Sequence, residues 1–195
     1  MARLFLYGTV QGVGFRPTVH RVATGMGLPG YVRNNGANVE ICIPGGEAEA
    51  EAFLARLREE LPPLAEVTDH ALEEGEPEEE GFVIVPSSEG PRLSIIPPDT
   101  AICQRCMEEF YDPADRRHWH PFLNCTDCGA RFSVIRDLPY DRPMTSMAPF
   151  PMCQRCEEEY RDPATRRFHA QTTNCPDCAP RYTLLDRSGG RLDGD

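Results

Sequence analysis

The stretch "YGTVQGVGFRP", Tyr7 to Pro17, sets three glycines and one arginine directly after the apolar run "RLFLYGTV". A glycine-rich turn between strand and helix is either a tight connection or a cradle for an anion, because glycine lets successive amides converge on one point. A plain turn needs the glycines but not an arginine at its far end. The N–H groups of Gln11, Gly12, Val13, Gly14 and Phe15 are expected to curl round an anion at a helix N-terminus. Arg16 would then close the cup with a bidentate guanidinium.

Strand and helix signals alternate outward from this loop. "FRPTVHRVATGMGL" carries Val19, Val22, Ala23 and Met26 at helical spacing, with Pro17 near its start and Gly27 at its close. "GYVRNN" and "VEICIP" are two short strands joined by the turn "NGAN". "EAEAEAFLARLREEL" puts Phe53, Leu54, Leu57 and Leu61 on one face and stops before Pro62-Pro63; "AEVTDHAL" and "GFVIVP" complete the set. The order is βαββαβ with an extra strand, an α+β fold whose two helices cover one face of a small sheet. Asn34 falls on a strand beside the loop and is expected to face the same mouth. An anion cup, an arginine and a neutral amide suit hydrolysis of an activated acyl phosphate, whose good leaving group needs neither metal nor strong base.

Composition narrows the partners. The chain of 195 residues has a formal charge of −11, with 15 acidic residues against 6 arginines in residues 1–90 and 16 against 14 in residues 91–195. That balance argues against nucleic acid. All 20 basic residues are arginine, so a phosphate-binding or Schiff-base lysine is ruled out within this chain. No apolar stretch is long enough for a bilayer, and "MARLFLYGTV" lacks the features of a secretory signal, so a cytoplasmic location is expected. "EEGEPEEE" (Glu73–Glu80) is expected to be a solvated hairpin tip. "VPSSEGPRLSIIPPD" (Val85–Asp99) reads as a connector, and "DRSGGRLDGD" as a linker with no packed ending. The division expected is 1–90 for the first domain, 91–102 connector, 103–183 a duplicated cysteine module and 184–195 tail.

The second half repeats itself at an offset of 50: "CQRCMEEFYDPADRR" realigns with "CQRCEEEYRDPATRR", and "NCTDCGARF" with "NCPDCAPRY". Four C-x2-C pairs, separated by 18, 24 and 18 residues, supply eight sulfurs: Cys103, Cys106, Cys125, Cys128, Cys153, Cys156, Cys175 and Cys178. Two four-sulfur zinc sites account for all of them and leave no open position for substrate, so both Zn2+ ions are expected to be structural. Disulfides do not fit a chain without a secretory signal, and a thioredoxin-type dithiol needs one C-x2-C rather than four. Pairing within each repeat is the simpler arrangement, with interleaved pairing as the alternative. Cys42 reads as a buried apolar residue, and His118, His120 and His169 as surface or packing residues.

Over residues 3–85, "G-x-V-Q-G-V-G-F-R", "G-L-x-G-x-V-R-N", "F-L-x-x-L" and "PLAEV" resemble the acylphosphatase family. The resemblance implies a ferredoxin-like sandwich in which Arg16 and the amides of Gln11 to Phe15 bind the phosphoryl group and Asn34 orients the attacking water, with no cofactor at that site. From "IIPPDTAICQRC" through "LPYDRPMTSMAPFPMCQRC" to "CPDC" the second half resembles the HypF family of carbamoyltransferases, which serve cyanide-ligand synthesis in [NiFe] hydrogenase maturation. Ala130 and Ala179 depart from that family's usual proline and glycine. The resemblance implies hydrolysis of carbamoyl phosphate in the first domain and adenylation of carbamate by a later ATP-binding domain. Transfer to the C-terminal cysteine of a HypE-type partner follows. The later domains are absent, so an N-terminal part is expected. The alternatives are a general acylphosphatase with a stabilising zinc module, or a non-catalytic docking module using Arg116-Arg117 and Arg166-Arg167.

Overall fold

Buried and half-buried residues alternate along the first strand, β1 (Ala2–Thr9), so that Ala2, Leu4 and Leu6 all point into one core. The computed structural model describes residues 1–75, 81–88, 95, 98–129 and 132–192. After the glycine loop, α1 (Phe15–Gly25) buries Phe15, Val19, Val22 and Ala23. It stops where Gly27 takes φ 68° and the Leu28 amide donates back to the Ala23 carbonyl at 3.0 Å, a glycine-terminated cap. β2 (Gly30–Asn35) and β3 (Asn38–Ile43) form a hairpin around Gly36, at φ 56°. α2 (Glu47–Glu59) starts where Glu49 accepts from the Gly46 amide at 2.8 Å, and it buries Ala50, Phe53, Leu54 and Leu57. β4 (Glu66–Glu74) and β5 (Phe82–Ile84) complete the sheet.

The strand order is β4-β1-β3-β2-β5, antiparallel throughout except for the β2–β5 pair. The helices and the sheet share a single apolar core, so the expected βαββαβ sheet with one extra strand is present. On the other face of β3, Glu40 is 2% exposed and is held by the Arg33 fork at 2.9 Å and the Tyr31 hydroxyl at 2.7 Å. Burial, with Glu40 adding to it, pushes the Tyr31 hydroxyl up to about 12. Cys42 is buried beside them, as expected of an apolar residue.

One expectation needs correction. Glu73 and Glu74 belong to β4, which lies at the opposite sheet edge from β5, so "EEGEPEEE" is not the tip of a hairpin between them; residues 76–80 lie outside the described residues. The tail, exposed over all of its described residues, carries a short hairpin. β6 (Leu184–Leu185) pairs with β7 (Arg191–Leu192), and Asp186 accepts from the Ser188 and Gly190 amides at 2.8 Å to hold the turn. The sequence offers only two residues per strand there, too few for periodicity to register.

The two repeats fold alike. α3 (Gln104–Tyr111) and α4 (Gln154–Arg161) occupy matching positions, and each is followed by the same D-P turn. Trp119 and His169, 50 positions apart, both take left-handed backbone at φ 55° and 52°.

Candidate functional site

Cys103 caps the N-terminus of α3 with Cys106 in the first turn, and Cys125 and Cys128 flank a turn of 3-10 helix. Cys153, Cys156, Cys175 and Cys178 repeat that arrangement around α4. In the first group neighbouring sulfurs lie 3.7, 3.8 and 3.6 Å apart, and in the second 3.7, 3.8 and 3.7 Å. A tetrahedron with zinc–sulfur bonds of about 2.3 Å has edges of about 3.8 Å, whereas a disulfide needs about 2 Å. The donor set therefore fits two closed four-sulfur metal sites, each drawn from one repeat.

Four thiolates around a divalent ion leave a net charge of −2, and each repeat answers the charge of the other. Arg166 Nη1 donates to the Cys125 sulfur at 3.2 Å in the first repeat, while its Nη2 meets Glu109 at 2.5 Å. Arg167 also donates to Glu109. In return, Arg116 donates to the Cys156 sulfur at 2.8 Å, and Arg117 meets Glu159 at 2.5 Å. Burial opposes the charge on Arg166, yet Glu109 and the Cys125 sulfur together hold it above the ordinary arginine range. Glu109 and Glu159, although burial works against their charge, are held below the usual carboxylate range by these arginines. The two arginine pairs are thus engaged by carboxylates and sulfurs within the module; Arg117 and Arg167 are buried, and Arg116 and Arg166 half-buried. The asparagines cross as well, Asn124 donating to the Thr172 carbonyl at 3.2 Å and Asn174 to that of Phe122 at 3.3 Å.

At the glycine loop, Gly12 and Gly14 take φ 72° and 77°, and Gly14 is the N-cap of α1. Val13 and Phe15 anchor the loop in the core. The Gln11 side chain donates to the Gly36 and Asn38 carbonyls at 3.4 and 3.2 Å, tying the loop to the end of the β2–β3 hairpin where Asn34 lies. Asn34 is fully buried, and among the described residues neither its Oδ1 nor its Nδ2 has a hydrogen-bond partner, a costly state for an amide.

The cysteine module roofs this loop. A Cβ on Gly14 would lie 2.8 Å from the Thr126 carbonyl oxygen. Arg16 Nη2 donates to Asp141 Oδ1 at 2.8 Å and to the Tyr140 carbonyl at 3.2 Å. Ser87 donates to Asp141 Oδ2 at 2.5 Å. A cavity of about 830 Å3 opens here, lined among others by Arg16, Ser87, Asp141, Tyr160, His169 and Gln171. Asn34 is not among its lining residues. A crevice of about 30 Å3 continues between the loop and the first finger, past Gly12, Gly14 and Thr126. Burial depresses His169 to about 4, with Arg16 and His20 adding to the effect, so it is neutral at pH 7. His120 is buried and bonded to Asn174 Oδ1, and His118 packs against Trp119.

Sequence reasoning missed Asp141, Tyr140, Ser87 and His169 as site neighbours. The available signal was "LPYDRP", a motif in the spacer between the repeats that has no copy at the offset of 50. Among the described residues, no helix is long and apolar enough to cross a membrane.

The Acylphosphatase family model matches residues 2–84, and the HypF finger model matches residues 102–135 and 152–185. Carbamoyltransferase HypF2 of Cupriavidus necator is 46% identical over 153 residues, which is 76% of this chain and 19% of that protein. An acylphosphatase of Staphylococcus aureus is 41% identical over 71 residues, 36% of this chain and 80% of its own length. The crystal structure of full-length HypF in the phosphate- and nucleotide-bound form superposes with a TM-score of 0.87 at 43% identity, covering 95% of this chain and 25% of that one. The chain therefore spans about a fifth of the curated HypF relative and a quarter of the solved one. An acylphosphatase sheet that runs into paired fingers of this kind is the arrangement of HypF's N-terminal region, and to the HypF family this chain belongs.

Proposed function

We propose that the glycine loop hydrolyses carbamoyl phosphate. The observation that carries this reading is Arg16, 8% exposed, at the N-terminus of α1 beside two left-handed glycines, with its guanidinium at the floor of a large cavity. The amides of Gln11 to Phe15 and the Arg16 fork hold the phosphoryl oxygens, where their charge is worth most as the transition state develops. Asn34 orients a water; its partnerless amide suits that role. The water oxygen bonds to phosphorus, the bond from phosphorus to the acyl oxygen breaks, and carbamate leaves with that electron pair. The water proton ends on the phosphate. A zinc ion in each four-cysteine group holds the fingers in place over the loop. In the whole HypF protein, carbamate would pass to an ATP-dependent step and then to a HypE-type partner, in parts of the protein that this chain does not cover. Of the two ligands in the solved relative, we assign phosphate to this loop.

A second reading, a general acylphosphatase, draws on the 41% identity to the Staphylococcus aureus acylphosphatase. Phosphate release from carbamoyl, acetyl and benzoyl phosphate separates the two, since equal turnover of all three favours the general enzyme. Arg16→Ala is expected to lower carbamoyl phosphate turnover by about 100-fold or more, and Asn34→Ala to lower kcat. Unchanged turnover in Arg16→Ala removes the site assignment.

A further inference from the structure

The geometry points to Asp141, supplied by the spacer between the two fingers, as a residue that selects the carbamoyl group over other acyl groups by accepting a hydrogen bond from its NH2. This rests on the reading of the loop as an acyl phosphate site. The carbamoyl and acetyl groups have nearly the same shape, so apolar packing separates them poorly; what differs is an NH2 that donates two hydrogen bonds where acetyl has a methyl. Discrimination therefore requires acceptors beside the phosphoryl site.

The structure has them at the required place. Asp141 Oδ1 is 2.8 Å from Arg16 Nη2, and the Tyr140 carbonyl is 3.2 Å from the same nitrogen. An acyl group carried on a phosphoryl bound by Arg16 thus lies within a few ångströms of both oxygens. The carboxylate is fixed on both sides, by Arg16 at Oδ1 and by Ser87 at Oδ2 at 2.5 Å, and its side chain remains 26% exposed on the cavity. A carboxylate offers about four lone-pair sites, so these two bonds leave acceptor capacity toward the cavity. Arg16 offsets the charge that Asp141 would otherwise set against the phosphoryl oxygens. A guanidinium has five N–H donors in a planar fork, so one nitrogen can hold Asp141 while others meet phosphate. An acetyl methyl in this position would strip water from the carboxylate and return no hydrogen bond, which disfavours it.

The test compares binding of two stable analogues, carbamoylphosphonate and acetylphosphonate, to the zinc-loaded chain by titration calorimetry, alongside turnover of carbamoyl phosphate. The wild type is expected to bind carbamoylphosphonate more tightly than acetylphosphonate by about tenfold or more. Asp141→Ala should collapse that ratio toward one, and Asp141→Glu should restore part of it, which a purely structural role would not do. Zinc content and melting temperature report whether each variant is folded. Equal affinity of the wild type for the two phosphonates overturns the inference whatever the turnover, and so does a ratio that survives Asp141→Ala. A retained ratio in a wild type that releases no phosphate from carbamoyl phosphate supports Asp141 as the selecting residue and defeats only the hydrolysis reading.

Discussion

Gly14 is one of the points at which the two halves of the molecule meet. Its φ of 77° costs any side chain about 1–2 kcal/mol, and a Cβ would also press on the Thr126 carbonyl at 2.8 Å. Gly14→Ala is expected to destabilise the chain by about 2 kcal/mol, lowering the melting temperature by about 4–8 °C for a chain of this size. Scanning calorimetry checks this, and an unchanged midpoint would overturn both the backbone cost and the contact with the finger. The glycine spacing made the loop itself readable. The partner of Arg16 was not, because Asp141 lies 125 positions away in a segment without periodicity or repetition. Asn34 was legible as an amide on the strand beside the loop; its complete burial depends on packing that no local signal encodes.

The elements of the second half are fastened by arginines that serve the opposite repeat. Arg166 reaches the Cys125 sulfur from the second repeat, so Arg166→Ala should weaken metal retention at Cys103, Cys106, Cys125 and Cys128 before the other group. Outer partners of metal ligands are typically worth 10–100-fold in affinity. Chelator competition followed by alkylation and peptide mapping reads this directly; equal loss from both groups would argue that the contact is incidental. The duplication and the cysteine spacing told where each metal group would form. The crossing of the arginines did not show, since a repeat alignment gives equivalence and not which copy touches which. The sheet has the same limit: β4 and β5 follow one another in sequence, yet they end at opposite edges because β1 and β2, not each other, provide their partners.

Across the whole molecule, buried His120 and half-buried His20 and His169 resist protonation. His20, His120 and His169 are all pushed below their ordinary value, in each case first by burial. Above the unfolded value of 6.5 these rings are neutral in both states and the stability is fully present. As pH falls below it the unfolded chain takes up protons that the folded one refuses, so stability declines. For His169 the window runs from 6.5 down to about 4, worth at most about 3 kcal/mol and less because the ring is partly exposed. Arg16, His20, Asp141, Phe168 and Tyr160 surround it. Asparagine tolerates left-handed backbone, so His169→Asn should flatten the decline in denaturant-measured stability over that window. Acid loss of metal is common to both proteins and drops out of the difference; identical slopes would exclude His169 as a contributor. The crossed contacts between the fingers also bear on separability. A half-module cut free would carry a cation pair without its carboxylate and a sulfur cluster without its donors, and the Thr126 amide, bonded to the Arg166 carbonyl at 3.0 Å, would lose its acceptor. The smallest piece that can stand by itself is the intertwined pair, so a chain nicked once in the spacer should still migrate as one body.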